Sequence, residues 1–371
     1  MDATNIVLFI ASFALILIGC EFFTNAVEWL GKKLNLAEGA VGSVLAAIGT
    51  ALPETLVPLI AILFVGGTAG EEIGVGAILG SPFMLATLAL FVTGLAVVLY
   101  RRRRKRVSLA IDGGLIRRDL KFFLVAYTIA ALTAFVPEEY DWVRWIVGCS
   151  LIPLYVYYTW VTLRTGESCA ECDREDLYLH RAWDRLNGRG PSRSPDPITS
   201  NDDEGRKDDS EEAHEVEPGL PLVLMQLFLG LAGIIIGAVT FVDQVEALAA
   251  VAGISATILA LIIAPIATEL PEMFNSYLWV KGGKDTYAIG NITGAMVFQS
   301  CFPVTIGILL TSWHIDLSEP TGVLMAISIL IALMSASILY LRATATELKP
   351  SALLLAGAFY VVFIALVLIL T

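Results

Sequence analysis

The chain has 371 residues, of which 56% are hydrophobic and only 16% are charged, and its mean hydropathy is +0.74. Soluble domains average roughly 45–50% apolar and about 25% charged residues, so this composition excludes a disordered chain and disfavours a soluble enzyme. The formal net charge of −12 makes nucleic acid a poor partner. Because the apolar residues stand in long runs, the sequence predicts an all-α polytopic membrane protein.

Ten apolar runs follow one another along the chain, each long enough to cross a membrane as a helix. Their approximate positions are 5–30, 37–66, 72–100, 118–136, 141–163, 219–242, 247–281, 284–311, 319–342 and 349–370. Several runs exceed the roughly 20 residues that a crossing needs, which predicts tilted or broken helices. The polar stretch 164–218 divides the chain into two five-helix halves, residues 1–163 and 219–371.

The polar stretch 164–218 contains 16 acidic and 8 basic residues, so it carries most of the net negative charge of the chain. Such a composition cannot bury enough apolar surface to fold alone, and we interpret it as a linker. Cys169 and Cys172 in this linker have the spacing of half a zinc site. No second cysteine pair follows, so reduced thiols are the simpler interpretation.

The basic residues predict an orientation, because cytoplasmic loops carry the excess of Lys and Arg. Of the 24 basic residues, 23 lie in the linker or in alternate loops, and Arg144 lies just inside the fifth span. Both termini are then outside the cell membrane and the linker is cytoplasmic. The run Arg101–Arg106 is a topology anchor or, alternatively, a site for anionic lipid. The loops without bases are predicted at 66–72, 137–141, 243–246 and 312–320.

The two halves resemble each other. Residues 19–54 align without a gap onto residues 237–272, and eleven of the 36 positions are identical, including the motif Thr-x-Leu-Pro-Glu. Five spans per half is an odd number, so the halves enter the membrane in opposite senses. The predicted fold is therefore ten transmembrane helices arranged as two inverted five-helix repeats. Inverted repeats are typical of secondary transporters, with the substrate site near the midplane of the membrane.

Each copy of the motif places a hydroxyl, a helix breaker and an acid inside an apolar span. These residues are Thr50, Pro53 and Glu54 in the first half, and Thr268, Pro271 and Glu272 in the second. Proline breaks a helix and frees the carbonyl four residues earlier. An acid deep in a membrane usually marks function, and the central spans offer no Lys or Arg to neutralise these two. Carboxylate and carbonyl oxygens are the ligands that Ca²⁺ prefers, so the two motifs predict a Ca²⁺ site. The alternative interpretation is a simple proline kink in which the glutamate pairs with a basic residue.

Glu269 lies three residues before Glu272, on the same helix face. It is either a third ligand of the cation or a proton carrier.

These motifs resemble those of the cation/Ca²⁺ antiporter superfamily, the sodium/calcium exchangers, and the chain looks like a divergent prokaryotic-type member. In that family the helix after each motif carries Gly-Asn-x-x-Gly-Ser-Asn. Residues 76–82 read Gly-Ala-Ile-Leu-Gly-Ser-Pro and residues 290–296 read Gly-Asn-Ile-Thr-Gly-Ala-Met. The resemblance implies that Ca²⁺ is bound at four positions, namely Thr50, Glu54, Thr268 and Glu272.

The positions that help to bind Na⁺ in the family are mostly altered. The serine of the second motif is retained only as Ser81. Serine is replaced in the family pattern by Ala51, Glu269 and Ala295, and Asn or Asp is replaced by Leu85 and Gln299. We keep Ser81, Glu269 and Gln299 as candidate ligands. The resemblance therefore supports Ca²⁺ transport better than coupling to several Na⁺ ions, and it leaves fewer Na⁺ ions or H⁺ open.

The predicted function is secondary antiport of Ca²⁺ against Na⁺ or H⁺ by alternating access. This is a transport protein rather than an enzyme. It needs no cofactor, and its partners are inorganic cations and the lipid bilayer. No nucleotide-binding motif is present in the sequence, so no nucleotide is expected. The alternative is a non-transporting membrane sensor or scaffold with a vestigial ion site, which the altered sodium positions favour. The sequence predicts no oligomeric state.

Overall fold

The computed structural model describes residues 3–33, 54–104, 106–164, 177–180, 218–343 and 346–371. Within these ranges the chain is almost entirely helical. The helices are α1 (Ala3–Lys33), α2 (Glu54–Val65), α3 (Gly67–Arg104), α4 (Gly113–Thr133), α5 (Asp141–Arg164), α6 (Leu220–Ala252), α7 (Ala256–Thr268), α8 (Leu270–Lys281), α9 (Asp285–Leu310), α10 (Pro320–Arg342) and α11 (Pro350–Leu370).

Seven helices in the described part of the chain are long and apolar enough to cross a membrane, which confirms an all-α polytopic membrane protein. They are α1, α3, α5, α6, α9, α10 and α11. Helix α4 carries charges in its first turns, at Arg117, Arg118, Asp119 and Lys121, which lower its hydropathy. Helices α2, α7 and α8 are shorter. The full number of ten spans stays a prediction.

Two long spans are interrupted at prolines. The span predicted at 247–281 is divided at Glu269 into α7 and α8, and Pro271 lies in the first turn of α8. In α3, Pro82 precedes a wide π turn at Leu85–Ala89. Proline lacks the N–H that a regular helix needs, so the backbone loosens at both places.

Two predicted loops are wrong. Of the loop predicted at 66–72, only Gly66 lies outside a helix, because α3 already begins at Gly67. Residues 243–246 were expected to end a span, but α6 continues through them to Ala252. The turn comes at Gly253, whose φ of 70° is the left-handed conformation that glycine adopts without strain. The polar residues therefore lie on the last turns of a long helix. A smaller departure from the all-α prediction is an antiparallel pair of two-residue strands, β1 (Leu109–Ala110) and β2 (Glu347–Leu348).

Helices α1 and α6 pack against each other with their backbones in contact. A Cβ atom added to Gly19 of α1 would lie 2.8 Å from the backbone nitrogen of Ile234 in α6. A Cβ added to Gly237 of α6 would lie 3.0 Å from the backbone nitrogen of Ile16 in α1. The contacts run in opposite chain directions, so the two helices are antiparallel.

The hydrophobic core has two parts. The larger cluster joins α3, α4, α5, α9, α10 and α11 with parts of α7 and α8. The smaller cluster joins α1 and α6 to α2, α3 and α7. Helix α7 takes part in both and lies close against α3, since a Cβ on Gly76 or Gly80 would overlap the carbonyl oxygens of Thr257 or Leu261.

A polar contact at one end of the bundle, which we call the Arg104–Asp285 clamp, joins α3 to α9. The Arg104 guanidinium pairs with the Asp285 carboxylate at the start of α9. The backbone N–H of Ala110 in β1 donates to the same carboxylate at 2.8 Å. Strand β1 then pairs with β2, which leads into α11. The connections α3–α4, α8–α9 and α10–α11 are thereby held together.

A second polar contact, the Arg144 clamp, lies at the opposite end of the same helices. The Arg144 guanidinium at the start of α5 donates to the carbonyl of Ser312 at 2.7 Å and to that of Val136 at 2.8 Å. The backbone N–H of Ser312 donates to the Glu71 carboxylate at 2.5 Å. The starts of α3 and α5 are thus fixed to the α9–α10 connection.

Candidate cation site

Three glutamate side chains meet in the interior of the bundle. Glu54 lies at the start of the described part of α2, Glu269 at the break between α7 and α8, and Glu272 in the first turn of α8. One carboxylate oxygen from each lies within 4.8 Å of the other two. All three side chains are buried, with exposed fractions of 2%, 0% and 2%.

Most oxygens of this cluster have no partner in the part of the chain that the structure describes. Within the described residues, both carboxylate oxygens of Glu54 and one each of Glu269 and Glu272 accept no hydrogen bond. No ion pair to these three acids is present in that part of the chain either. Buried polar atoms are nearly always satisfied in folded proteins, so this group of free oxygens calls for an additional positive partner.

Two further side chains border Glu269. The Gln299 amide on α9 donates to the Glu269 carboxylate at 2.6 Å, and its own oxygen is buried with no partner among the described residues. Ser81 of α3 places its hydroxyl next to the same carboxylate. Helices from both halves of the chain therefore contribute oxygen atoms to one place.

Electrostatic repulsion among the three carboxylates determines which positive charges the cluster needs. Two unit negative charges 4.8 Å apart repel by about 3 kcal/mol at an effective dielectric constant of about 20. Three ionised carboxylates contain three such pairs, and burial adds a desolvation cost to each. The cluster is therefore stable only with bound cations or with protons on some of the acids. Exchanging one for the other is the chemistry that this geometry allows.

Five of the seven residues that the sequence predicts as cation ligands lie together in the structure: Glu54, Glu269, Glu272, Ser81 and Gln299. Thr268 is the last residue of α7, beside the cluster in sequence, but its hydroxyl points to the Ala264 carbonyl at 3.5 Å. The hydroxyl oxygen keeps its lone pairs when it donates, so both it and the backbone carbonyl of Thr268 are oxygens that could bind an ion. Thr50 lies outside the described residues.

Sequence reasoning missed a fourth buried acid, Asp119 of α4. Its two oxygens accept hydrogen bonds from Tyr158 at 3.0 Å and from Thr293 at 2.9 Å. Arg118 is also 3.9 Å from the carboxylate. The neighbouring charges at Arg117, Arg118 and Lys121 made Asp119 look like part of a solvated helix end. No signal in the sequence separated it from them.

A family comparison agrees with this geometry. The profile of the family described as sodium/calcium exchanger protein matches residues 4–164 and 222–371, which is most of the chain. The chain belongs to this family. The resemblance inferred from the two motifs is thereby confirmed, and the exchanger is a multi-pass membrane protein of a transporter family.

Individual relatives span the same length as this exchanger. The sodium/calcium exchanger MaX1 of Methanosarcina acetivorans is 24% identical over 368 residues, covering 98% of both chains. The crystal structure of the H⁺/Ca²⁺ exchanger CAX aligns with a TM-score of 0.65 at 15% identity, over 98% of this chain and 82% of the other. The sodium-calcium exchanger NCX_Mj aligns with a TM-score of 0.54 at 21% identity, over 98% and 99%. Both structural likenesses establish the fold.

Proposed function

We propose that this exchanger is a secondary antiporter that moves Ca²⁺ across the membrane against Na⁺ or H⁺ by alternating access. The observation that carries the proposal is the cluster of three buried carboxylates without a basic partner. A cation is the missing partner, and an antiporter is a protein in which two kinds of cation fill such a cluster in turn. The names of the relatives, which include exchangers of either Na⁺ or H⁺ against Ca²⁺, support both couplings.

The donor set fits Ca²⁺. This ion takes six to eight hard oxygen ligands at about 2.3–2.6 Å and tolerates irregular geometry. Glu54, Glu269 and Glu272 supply carboxylate oxygens, and Gln299 supplies an amide oxygen. The backbone carbonyls of Thr50 and Thr268 are the remaining proposed ligands, each next to the carbonyl, at Gly49 or Ala267, that the following proline frees. Three acids also neutralise a divalent ion with one charge to spare, which leaves room for a proton or a monovalent ion.

The surroundings of Glu269 favour H⁺ or few Na⁺ ions as the counter-ion. Leu85, where the family places an amide or acid, is fully buried and offers no oxygen. Ala295, at the family's serine position, offers none either. Glu269 itself is an acid where the family has a hydroxyl, and acids can carry protons as well as bind metal. Ser81 is the hydroxyl that remains beside it.

Reciprocal contacts between α1 and α6 support an inverted repeat of the two halves. Gly19 of α1 meets Gly230 and Ile234 of α6, while Gly237 of α6 meets Ser12 and Ile16 of α1. Shifting each residue of the first contact by 218 positions gives the second contact with the helices exchanged. An antiparallel pair with this property is what an inverted repeat produces. We propose residues 1–163 and 219–371 as the two repeats.

The proposed orientation has both termini outside and the linker 164–218 in the cytoplasm. The Arg104–Asp285 clamp then lies at the cytoplasmic end, beside the exposed run Arg101–Arg103. The Arg144 clamp lies at the outer end. This placement explains the one base outside the cytoplasmic loops, because Arg144 is held by two backbone carbonyls rather than by solvent.

Flux measurements on the purified protein in liposomes test this function. Radioactive Ca²⁺ uptake is followed after imposing an outward Na⁺ gradient, an outward H⁺ gradient or neither. We expect uptake above the level of empty liposomes with at least one gradient, and its loss when an ionophore collapses that gradient. Binding of Ca²⁺ without flux under any gradient would instead support a membrane sensor or scaffold, and would overturn the antiporter.

A further inference from the structure

Helix α9 presents two amide side chains to the break between α7 and α8. Asn291 and Gln299 are eight residues apart, which places them about 80° apart around the helix axis and so on one face of α9. Gln299 donates to the Glu269 carboxylate at 2.6 Å. The Asn291 amide nitrogen lies 3.3 Å from the backbone carbonyl oxygen of Glu272. Through these amides, α9 contacts both acids of the second half.

Ser276, one turn after Glu272 in α8, completes the contact with Asn291. The Asn291 amide nitrogen lies 3.4 Å from the Ser276 hydroxyl, and this hydroxyl donates to the Ala288 carbonyl of α9 at 3.0 Å. A hydroxyl has one proton to donate, so Ser276 accepts from Asn291, and the Glu272 carbonyl can only accept. Asn291 is therefore the donor in both of its bonds. Three side-chain hydrogen bonds join the first turns of α8 to α9.

The first half of the chain has apolar residues at the two matching positions. The motifs at 76–82 and 290–296 differ by 214 in number, which places Ala77 at the position of Asn291 and Leu85 at that of Gln299. Ala77 is 4% exposed and belongs to the smaller hydrophobic cluster, and Leu85 is 0% exposed and belongs to the larger one. Neither side chain can donate a hydrogen bond. The two halves thus carry similar acids on different supports.

The acids of the site differ accordingly in how firmly they are held. Both carboxylate oxygens of Glu54 accept no hydrogen bond from the described residues. Glu269 accepts from Gln299 through its carboxylate, and Glu272 accepts from Asn291 through its backbone. A ligand keeps its position to the extent that surrounding hydrogen bonds fix it. The second half therefore offers oxygens at fixed positions, whereas the Glu54 carboxylate is free to adjust to the ion.

We propose that Asn291 is a positioning residue that sets the size of the cation site, because it holds the first turns of α8, and with them Glu272, against α9. This inference rests on the Ca²⁺ site of the proposed function. Ca²⁺ needs oxygens at about 2.3–2.6 Å, and selectivity among divalent ions depends on the size and flexibility of the cage. When Glu272 is released, the cage can widen to fit a larger ion such as Ba²⁺. Asn291 binds the main chain of Glu272, so it acts through position and not through charge.

The test compares the affinities of the purified protein for Ca²⁺ and Ba²⁺ by titration calorimetry in detergent. Asn291→Ala gives α9 the residue that α3 has at the matching position. We expect the Kd for Ca²⁺ to rise about fivefold, the factor that one net hydrogen bond is worth, and the Kd for Ba²⁺ to stay the same. The matched control is Thr305→Val, which removes another hydrogen bond of α9, from Thr305 to the Gly148 carbonyl at 3.1 Å. It keeps both Kd values of the wild type.

A second variant and a second measurement test the position of α8 directly. Ser276→Ala removes two of the three bonds and leaves Asn291 bonded to Glu272, so we expect a ratio of Ba²⁺ to Ca²⁺ Kd between those of the wild type and Asn291→Ala. Hydrogen exchange of the peptide 270–277, followed by mass spectrometry, should be about fivefold faster in Asn291→Ala and unchanged in Thr305→Val. Exchange at the wild-type rate in both Asn291→Ala and Ser276→Ala would show that other contacts hold Glu272, which contradicts the proposal.

Comparison with the liposome flux separates this proposal from the proposed function. If the wild type transports Ca²⁺ and Asn291→Ala weakens Ca²⁺ and Ba²⁺ equally or not at all, antiport stands and the role of Asn291 fails. If the wild type gives no flux under any gradient but binds Ca²⁺, and Asn291→Ala shifts the ratio of Ba²⁺ to Ca²⁺ Kd, antiport fails and the role of Asn291 stands.

Discussion

The cation site and the Arg104–Asp285 clamp both bury carboxylates, and they differ in what faces them. Asp285 is 4% exposed, Arg104 balances its charge, and the backbone of Ala110 donates to the same oxygen. Its second oxygen accepts no hydrogen bond in the described part of the chain, and the same is true of four oxygens of the cation site. The acids of the cation site differ because no basic residue pairs with them within the described residues. The missing counter-charge, rather than burial or a free oxygen, therefore marks the functional acids in this protein.

Asp119 provides an intermediate case that supports the same distinction. It is a buried acid inside the bundle, Tyr158 and Thr293 donate to its two oxygens, and Arg118 lies 3.9 Å from the carboxylate. It joins α4 to α5 and α9 and has no free oxygen to offer an ion. We therefore assign Asp119 a structural role, and it serves as a control for the acids of the site.

The largest effect is expected from removing one charge of the site. Glu54→Gln or Glu272→Gln keeps the side-chain shape but lowers the charge that a divalent ion depends on. We expect Ca²⁺ flux to fall by about 100-fold or more in each variant, while size-exclusion profiles stay unchanged because no paired charge is broken. The control Asp119→Asn keeps the Ca²⁺ affinity of the wild type. Full flux in both glutamine variants would place the transported ion elsewhere.

Removing Arg104 from the Arg104–Asp285 clamp should lower the stability of the protein and leave its Ca²⁺ affinity unchanged. Arg104→Met leaves Asp285 buried without its counter-charge, and breaking such a pair typically costs about 3–5 kcal/mol. We expect a clear fall in thermal midpoint, measured by unfolding in detergent, with the Ca²⁺ affinity of the folded protein unchanged. Arg103→Met, one residue earlier and exposed, is the matched control and leaves the midpoint in place. A loss of Ca²⁺ affinity in Arg104→Met with normal stability would reverse the assignment of the two regions.

Ca²⁺ bound at the cation site should stabilise the folded protein. A ligand at 100 times its Kd stabilises a folded protein by about 2.7 kcal/mol if it binds only that state. We expect Ca²⁺ to raise the thermal midpoint of the wild type and of Arg103→Met, and to have no effect on Glu272→Gln. The measurement is a Ca²⁺ titration of the unfolding temperature at fixed Na⁺ and pH. An equal shift in Glu272→Gln would show that Ca²⁺ stabilises the protein at another place.

The smallest effect concerns the role of Glu269. Ca²⁺ binds the ionised acids, so protons compete with it and its apparent affinity should fall as the pH is lowered. Glu269→Gln removes one competing proton site, and we expect the dependence of apparent affinity on pH to flatten by up to about tenfold per pH unit. Glu319→Gln at an exposed helix start is the control. An unchanged pH profile in Glu269→Gln would remove Glu269 as a proton carrier.

The sequence predicted the acids of the site because their chemistry is local. A proline and a glutamate inside an apolar run already imply a broken helix and an unneutralised charge, and the break at Glu269 confirms the first implication. The repeat predicted that Glu54 and Glu272 would meet. Their burial and close approach in the structure agree with that prediction.

The clamps, and the contacts of residues 177–180 with α1 and α6, could not be predicted because their partners are far apart in the chain. Arg104 and Asp285 are 181 residues apart, and each looks like an ordinary charge at a helix end. Residues 177–180 stand in a polar linker, where nothing distinguishes them from their neighbours. Gln226 of α6, which accepts from the N–H of Leu179, was the available signal, since an amide inside an apolar span needs a partner. The wrong prediction of a loop at 243–246 has a different cause. The polar residues there suggested the end of a helix, whereas the helix ends further along, at Gly253.

The pairing of β1 with β2 has a consequence for how this part of the protein tolerates change. Leu109 lies opposite Leu348 and Ala110 opposite Glu347, and the N–H of Ile111 donates to the Thr346 carbonyl at 3.2 Å. All of these bonds belong to the main chain, which every residue except proline provides. Most side chains of the two strands are thus free to vary, whereas an extra residue within either strand would shift the register or form a bulge. Family members should therefore differ here in composition and agree in the length of the two strands.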